Sequence, residues 1–414
     1  MEFNSQPSFI MHIDLNSCFA TVEQQANPFL RGKPVAVAAF SSPGGCILAS
    51  SVEAKRLGIK TGMRVMEGRQ ICSELIVLTP DPWKYRCVHL AIKKIVSDYT
   101  DDFLPKSIDE FVLDLKDRPC LRNKTVYDVG KELKERIKRE IGEYLTVSIG
   151  ISTNRYLAKI ASNLKKPDGL EEINSRNFLS VYSKLKLTDL TGIKNANALR
   201  LNSMGIYSVL DFYNAPLWRL KASFRSITSL YWYQRLRGYE VDNFLSRRGS
   251  YGNSVAIGKN ISSFEEISPI LCNLVEKATR RLRNAGYKAC GVHLTLFYKN
   301  GKLWHKGESF KNPMFSSKDF FKKAVGLLKE TSFKNPIANI AVSVFNLIKT
   351  NSLQLEMFED AQKKDSLTNA IDQINERWGE FILKPAVILK SKQQIIDRIA
   401  FGGVKELEEF SLLN

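Results

Sequence analysis

The chain has 414 residues, which is too long for one ordinary hydrophobic core, so we expect two to four domains. Hydrophobic residues make up 44% and charged residues 25% of it, a composition that excludes a disordered chain and is typical of a globular protein. The formal net charge of +18 indicates a polyanionic partner, most often nucleic acid. Since no transmembrane segment or signal peptide is visible, we expect a cytoplasmic protein with no membrane partner.

Cysteine and histidine usage argues against several classes of site. The seven cysteines are odd in number and include no C-x-x-C pair, which disfavours a zinc site or a disulfide framework. The four histidines (His12, His89, His293 and His305) are isolated in the sequence, so a histidine-based metal centre is not expected. The sequence contains no G-x-x-x-x-G-K-S/T loop, which disfavours a P-loop ATPase.

The first half of the chain reads as an α/β layer. Apolar runs at 9–15, 108–115 and 146–151 predict β-strands, and the charged, periodic segment 126–141 predicts a helix between the last two. A smaller region at about 18–83 is interrupted by glycine and proline turns.

The segment 175–240 has a helical pattern that contains Leu190-Thr191-Gly192-Ile193-Lys194. Two helices joined by a glycine-containing turn resemble a helix-hairpin-helix, whose backbone amides hold a DNA phosphate. The common form of the turn has a second glycine where Lys194 stands, so an ordinary helical hairpin remains an alternative.

The segment 241–250, with Arg247 and Arg248, reads as a linker. Beyond it, residues 251–350 alternate strand-like runs (292–298 and 340–347) with helical runs (270–282 and 318–329), which predicts an α+β domain. Residues 245–350 contain 18 Lys and Arg against 6 Asp and Glu, a net charge of +12. Such a basic domain favours a phosphate-binding surface over an ordinary solvated face.

Three carboxylates lie at the ends of predicted strands, where a half-buried strand does not normally have a charged side chain. Asp14 ends the first apolar run, and Asp109 and Glu110 begin the second. Together they would form a negative pocket that is stable only with divalent cations, and oxygen ligands suit Mg²⁺. The alternative without a functional role is that Asp14 is a turn residue and that Asp109 and Glu110 lie at a solvated strand edge. Because neighbours in a regular strand point to opposite faces, Asp109 and Glu110 can share a metal only at a strand end, a turn or a bulge.

The surroundings of these carboxylates resemble the Y-family DNA polymerases, the lesion-bypass enzymes, of the bacterial polymerase IV and polymerase V catalytic-subunit type. The resemblance rests on the order and spacing of DLNSCFATVE after Ile13, SIDE ending at Glu110, and VSIGISTNRYLAKIASNLKKPDG from Val147, and it covers about residues 9–350. It implies a multidomain α/β and α+β fold of the right-hand polymerase type, whose domains are named after the parts of a hand. These are the palm (1–17 and 84–174), small fingers (18–83), helical thumb (175–240), linker (241–250), little finger (251–350) and tail (351–414).

The resemblance implies template-directed, low-fidelity DNA synthesis past damaged bases, with two Mg²⁺ ions for which Mn²⁺ can substitute. Asp14, Asp109 and Glu110 would be the catalytic metal ligands, together with the backbone carbonyl of Leu15. Phe19 matches the steric gate, an aromatic ring that lies under the sugar and excludes a 2′-hydroxyl. The implied partners are primer-template DNA and a deoxynucleoside triphosphate, bound by a monomer associated with the nucleoid.

The contacts to the triphosphate depart from the family pattern. Lys166 matches the family lysine that reaches the phosphates. In the fingers string, Ala49, Val52 and Lys55 replace the usual Thr, Tyr and Arg of polymerase IV, so two hydroxyl donors and a bidentate fork are lost. Asn16 and the Glu-Ala-Lys triplet are closer to polymerase V, which leaves the subfamily open.

The remaining implied contacts are with DNA and with a sliding clamp. Gly192, Lys194, Arg247 and Arg248 are candidate DNA contacts. The run from Gln354 and Leu355 to Met357 and Phe358 resembles the peptide by which bacterial polymerases dock to the clamp. A helical run at 366–378 has no role that we can assign.

Two alternatives stay open on the sequence. A non-catalytic DNA-binding scaffold would be favoured by loss of a metal carboxylate, yet all three are present. A two-metal nuclease would need neither a gate aromatic nor a triphosphate lysine, yet Phe19 and Lys166 stand at the matching positions of this sequence.

Overall fold

The computed structural model describes residues 1–243, 248–331, 335–350, 359–379 and 381–389. These residues form two compact units, one within 1–243 and one within 248–389. The helices and strands of the first unit are, in chain order, β1 (Ile10–Leu15), α1 (Cys18–Ala26), β2 (Val35–Ala38), β3 (Ile47–Ser50), α2 (Val52–Arg56), α3 (Val65–Ile71), β4 (Ile76–Leu78), α4 (Pro82–Ser97), β5 (Phe103–Pro105), β6 (Glu110–Asp114), α5 (Val126–Glu140), β7 (Val147–Ser152), α6 (Arg155–Leu164), β8 (Leu170–Ile173), α7 (Phe178–Tyr182), α8 (Asn195–Asn202), α9 (Val209–Asn214), α10 (Leu217–Phe224) and α11 (Thr228–Arg235).

The first unit is organised around a five-stranded sheet with the strand order β5-β6-β1-β7-β8. Strand β1 lies at its centre, antiparallel to β6 and β7, and every one of its residues is buried. The predicted strands and the predicted helix α5 are confirmed. Helix α5 begins with a capping box between Thr125 and Asp128, and it packs its apolar side chains, such as Leu133, into the core beside the sheet.

Helix α6 lies unusually close to the sheet. A side chain at Gly150 in β7 would place its Cβ 2.0 Å from the carbonyl oxygen of Ala158 and 2.2 Å from the backbone nitrogen of Ser162. Only a glycine permits that approach. This close approach sets the distance between the sheet and the polar side chains of α6.

The region at 18–83 contains a three-stranded sheet of order β3-β2-β4 over a small apolar cluster that includes Ile47, Ile59 and Val65. Its short strands were not predicted, because each has only three or four residues and no alternation of polar and apolar side chains.

The helices from α7 to α11 share a core that includes Leu190, Ile193, Phe212 and Trp232. Gly192 has a φ of +93° and follows a short 3-10 helix (Leu187–Asp189) rather than a regular helix. Lys194 is the residue before α8, with a φ of −112° that any side chain adopts. A second glycine is therefore not required by the backbone of this turn.

The second unit contains β9 (Ser250–Ile261), α12 (Phe264–Asn284), β10 (Tyr287–Tyr298), β11 (Leu303–Met314), α13 (Ser317–Lys329), β12 (Ile337–Lys349), α14 (Glu359–Trp378) and α15 (Ala386–Leu389). Its sheet has the order β11-β10-β12-β9, with all neighbours antiparallel, and α12 and α13 supply much of the core beside it.

The α+β prediction for this unit is confirmed. Strand β11 was not predicted, because it is an edge strand of mostly exposed polar side chains. Helix α14, which contains the predicted run 366–378, is joined to the unit by the ion pairs Arg283–Asp372 and Lys288–Asp365.

Candidate active site

Asp14 and Glu110 lie directly opposite each other in the antiparallel pair of β1 and β6. Asp109 precedes the first residue of β6, and its carbonyl oxygen accepts a 2.9 Å hydrogen bond from the backbone nitrogen of Leu15. The two adjacent acids thus sit at a strand end, where the alternation of a regular strand no longer separates them.

Two lysines pair with the carboxylates of Asp14 and Glu110. Lys159 on α6 donates to Asp14 Oδ2 at 2.5 Å and to Glu110 Oε1 at 2.7 Å. Lys166 donates to Asp14 Oδ1 at 2.6 Å. The sequence analysis did not single out Lys159, because only the packing of α6 on the sheet brings this lysine to Asp14 and Glu110.

The site perturbs several ionisable groups. Burial would raise the pKa of Glu110, but the adjacent His12 ring, together with the charge of Lys159 and its hydrogen bond, outweighs burial and holds that pKa at about 2. Burial raises the pKa of Asp109, and the charges of Asp14 and Glu110 add to the increase. Burial also lowers the pKa of His12, whose Nε2 lies 3.4 Å from Glu110 Oε2.

The donor set suits a hard divalent cation. Among the described residues, one group of three metal-ligating side chains lies close together: ligand atoms of His12, Asp14 and Glu110 are all within 4.8 Å of one another. The sequence had placed Asp109 rather than His12 with the other two. Asp109 Oδ1 accepts a 2.5 Å hydrogen bond from Ser107 instead. Carboxylate oxygens predominate, so the residues present fit Mg²⁺ or Mn²⁺.

An open cavity of about 710 Å³ adjoins the carboxylates. Phe19 lines it, and its ring stacks on Tyr85 with 4.4 Å between the ring centroids. The Tyr85 hydroxyl donates to Glu23 at 2.9 Å, and Glu23 also accepts from Lys84 at 2.8 Å. The Phe19 ring is thus held from behind by a side chain that is itself anchored.

The cavity is also lined by Ala49, Val52 and Lys55. The Lys55 ammonium donates to Ser17 Oγ at 2.8 Å, and burial together with the charge of Lys166 lowers its pKa. Sequence reasoning missed three further polar residues that line this cavity, which are Arg56, Thr61 and Asn163.

Of the other predicted contacts in the first unit, neither Gly192 nor Lys194 lines this cavity. Gly192 and Lys194 lie in the turn before α8. Arg248 stacks its guanidinium over Tyr251, 4.1 Å from the ring centroid. Arg247 and the clamp-like residues Gln354, Leu355, Met357 and Phe358 lie outside the described residues.

Comparison with known proteins gives matches across both units. Residues 13–163 match the impB/mucB/samB family, and residues 248–357 match the C-terminal domain of the same family. A DNA polymerase IV of Pelotomaculum thermopropionicum is 31% identical over 389 residues, which covers 92% of this chain and 95% of that protein. A DNA polymerase IV of Bacillus velezensis is 28% identical over 393 residues, covering 93% and 94% of the two chains.

The chain belongs to the Y-family DNA polymerases. The fold agrees, since a solved Dbh–Dpo4–Dbh Y-family polymerase chimera superposes with a TM-score of 0.73 at 24% identity, covering 82% of this chain and 99% of that one. The second unit contains the little-finger domain of that fold. The activity is DNA-directed DNA synthesis of the DNA polymerase IV-like, translesion type, and enzymes of this family use divalent metal ions. Within the described ranges, no helix has the length and hydropathy to cross a bilayer.

Proposed function

We propose that Asp14, Asp109 and Glu110 form the catalytic centre at which a deoxynucleoside triphosphate is joined to a primer 3′-hydroxyl during synthesis past damaged bases. The observation that supports this most is the meeting of Asp14 and Glu110 across β1 and β6, at the edge of a cavity that Phe19 also lines. A phosphodiester bond forms at the α-phosphate, and the bond to pyrophosphate breaks.

The three carboxylates and the Leu15 carbonyl would hold two Mg²⁺ ions, for which Mn²⁺ can substitute. When bound, these ions lower the pKa of the attacking hydroxyl and neutralise the triphosphate. The strand-end position of Asp109 lets its carboxylate join the other two without a break in the sheet. His12, buried behind Glu110, orients that carboxylate.

Lys166 and Lys55 would bind the triphosphate. Both line the cavity, and the Lys166 ammonium already lies 2.6 Å from an oxygen of Asp14. Two lysines act as point charges and cannot form the bidentate contacts of an arginine. Arg56, the neighbour of Lys55, lines the same cavity and is a candidate to make a bidentate contact to the triphosphate.

Phe19 would act as the steric gate. Its ring is buried against Tyr85 and cannot move back without breaking that stacking. A ribose 2′-hydroxyl pressed against this ring would meet a clash and would lose its hydrogen bonds, so ribonucleotides should be poor substrates.

The domain divisions extend this proposal. The five-stranded sheet would belong to the palm (1–17 and 84–174), the three-stranded sheet to the fingers (18–83) and the helices α7 to α11 to the thumb (175–240). A linker (241–250), the little finger (251–350) and a tail (351–414) would follow.

Primer-template DNA would contact Gly192, Lys194, Arg247 and Arg248, and residues 354–358 would bind a sliding clamp. We propose a monomer that works in the cytoplasm at the nucleoid.

Primer extension tests the proposal. The purified chain, Mg²⁺ and deoxynucleotides are incubated with one primer on two templates, one undamaged and one with a single abasic site ahead of the primer end. We expect extension on both templates, including products that pass the abasic site. Complete arrest at the abasic site would contradict the lesion-bypass role, and no extension on either template would contradict the catalytic one.

A further inference from the structure

Two histidines that are isolated in the sequence meet on the little-finger sheet. His293 lies on β10 and His305 on β11, and the antiparallel pairing of these strands brings His293 Nε2 to 3.3 Å from His305 Nδ1. Val292 and Leu294, the neighbours of His293, point into the buried core. His293 therefore lies on the face of the sheet away from that core, where His305 is exposed to solvent.

The separation of the two ring nitrogens fits a shared metal ion. Imidazole nitrogens bind Zn²⁺ at about 2.0–2.1 Å in a tetrahedral arrangement, so two such ligands lie roughly 3.3–3.4 Å apart. The 3.3 Å between His293 Nε2 and His305 Nδ1 agrees with that spacing. A metal could therefore bind between the rings without a change in the strand pairing.

Neighbouring residues hold the His293 ring in the required position. Gly307 is directly opposite His293 in the strand register, and a Cβ there would lie 3.0 Å from His293 Cδ2. The glycine thus leaves room for the ring to reach His305. Thr295 Oγ1 lies 3.4 Å from His293 Nδ1 and is the hydrogen-bond partner of that nitrogen, which leaves Nε2 on the side of His305.

We propose that His293 and His305 form a binding site for a transition-metal ion of the Zn²⁺ and Ni²⁺ class, with water in the remaining coordination positions. Imidazole ligands select such ions over Mg²⁺, which prefers oxygen. The site is therefore chemically distinct from the carboxylates at Asp14 and Glu110, and it does not depend on the catalytic proposal.

The test is a calorimetric titration of the full-length, tag-free chain with Ni²⁺ in excess Mg²⁺, which competes with Ni²⁺ for the carboxylates. The variants are His293→Gln and His305→Gln, each of which removes one imidazole from an accessible face of the sheet. Lys306→Gln, on the same strand as His305, is the matched control. Circular dichroism verifies that every variant is folded.

We expect one Ni²⁺ binding event in the wild type and in Lys306→Gln that is lost in both histidine variants. Thr295→Val should retain the event with about 10-fold weaker affinity, because it removes the hydrogen-bond partner of His293 Nδ1. The same isotherm in the wild type and in both histidine variants would assign the metal to other donors, such as cysteines, and would overturn the proposal. No Ni²⁺ binding by the wild type would overturn it as well.

Discussion

Asp14 and Glu110 face each other across two neighbouring antiparallel strands, and the ammonium of Lys159 is hydrogen-bonded to both. Strand pairing thereby fixes the distance between the two carboxylates, and helix α6 supplies the cation that makes their burial tolerable. The geometry of the site is therefore a property of the sheet and of the helix packed on it.

Shortening Phe19 should open the cavity to ribonucleotides. In Phe19→Ala we expect the preference for deoxynucleotides over ribonucleotides to fall by about 100-fold, because the apolar wall that rejects the 2′-hydroxyl is removed. Single-nucleotide insertion kinetics with dCTP and CTP give the ratio of the two kcat/KM values. Tyr85→Phe, which keeps the ring behind Phe19, is the matched control and should retain the wild-type preference. An unchanged ratio in Phe19→Ala would disprove the gate.

Removing the charge of Lys166 should weaken nucleotide binding. Hydrogen bonds to charged groups contribute about 1.5–3 kcal/mol, so Lys166→Gln should raise KM for the deoxynucleotide about 10- to 100-fold. Lys165→Gln changes the adjacent exposed lysine and should leave KM near the wild-type value. Steady-state insertion kinetics measure both. Equal KM values in the two variants would argue against a triphosphate contact by Lys166.

A methyl group at Gly150 should disrupt the packing of α6 on the sheet. In Gly150→Ala the new Cβ would overlap the backbone at Ala158 and Ser162, so we expect a loss of about 3 kcal/mol in the free energy of unfolding. Gly44→Ala is the control, since nothing lies within 4 Å of its Cβ position and its φ is not positive. Urea denaturation compares the two, and equal midpoints would show that the helix is free to move.

The packing of helix α14 on the second unit should depend on its buried ion pair. The side chains of Arg283 and Asp372 are only 3% and 14% exposed, and the Arg283 guanidinium makes two hydrogen bonds to the carboxylate. Asp372→Ala leaves a buried arginine charge without that partner, which should destabilise the little-finger domain by about 3 kcal/mol.

The control for Asp372→Ala lies on the same helix. Lys364 pairs with Asp319, and these side chains are 46% and 31% exposed, so Lys364→Ala should cost less than about 1 kcal/mol. Thermal unfolding followed by circular dichroism distinguishes the two variants. A destabilisation by Lys364→Ala as large as that by Asp372→Ala would contradict this ranking.

Much of the fold was predictable because its central elements have strong local patterns. A continuous apolar run that ends at Leu15 predicts β1, and the helical periodicity of residues 126–140 predicts α5. Strand β11 was harder to recognise, because it is an edge strand paired with β10 and most of its side chains are exposed. Contacts between distant segments, such as Arg283 with Asp372, leave no signal in a single sequence.

The candidate site was predictable only in part. Asp14, Asp109 and Glu110 stand out because carboxylates are unexpected beside apolar strands, and the family motifs identify Phe19 and Lys166. Lys159 and His12 become recognisable only when α6 and β1 are folded against Glu110. The meeting of His293 and His305 depends in the same way on the register of β10 and β11.

We propose that Glu110 and its two partner carboxylates perform the chemistry. The most direct test is the single-turnover rate of primer extension by Glu110→Gln, which keeps the size of the side chain and removes its charge. Glu171→Gln, on β8 of the same sheet, is the matched control. We expect Glu110→Gln to bind primer-template DNA as the wild type does but to extend it at least about 1000-fold more slowly, because charge stabilisation worth several kcal/mol is lost. If Glu110→Gln extended the primer at the rate of Glu171→Gln, the Glu110 carboxylate would have no part in the chemistry.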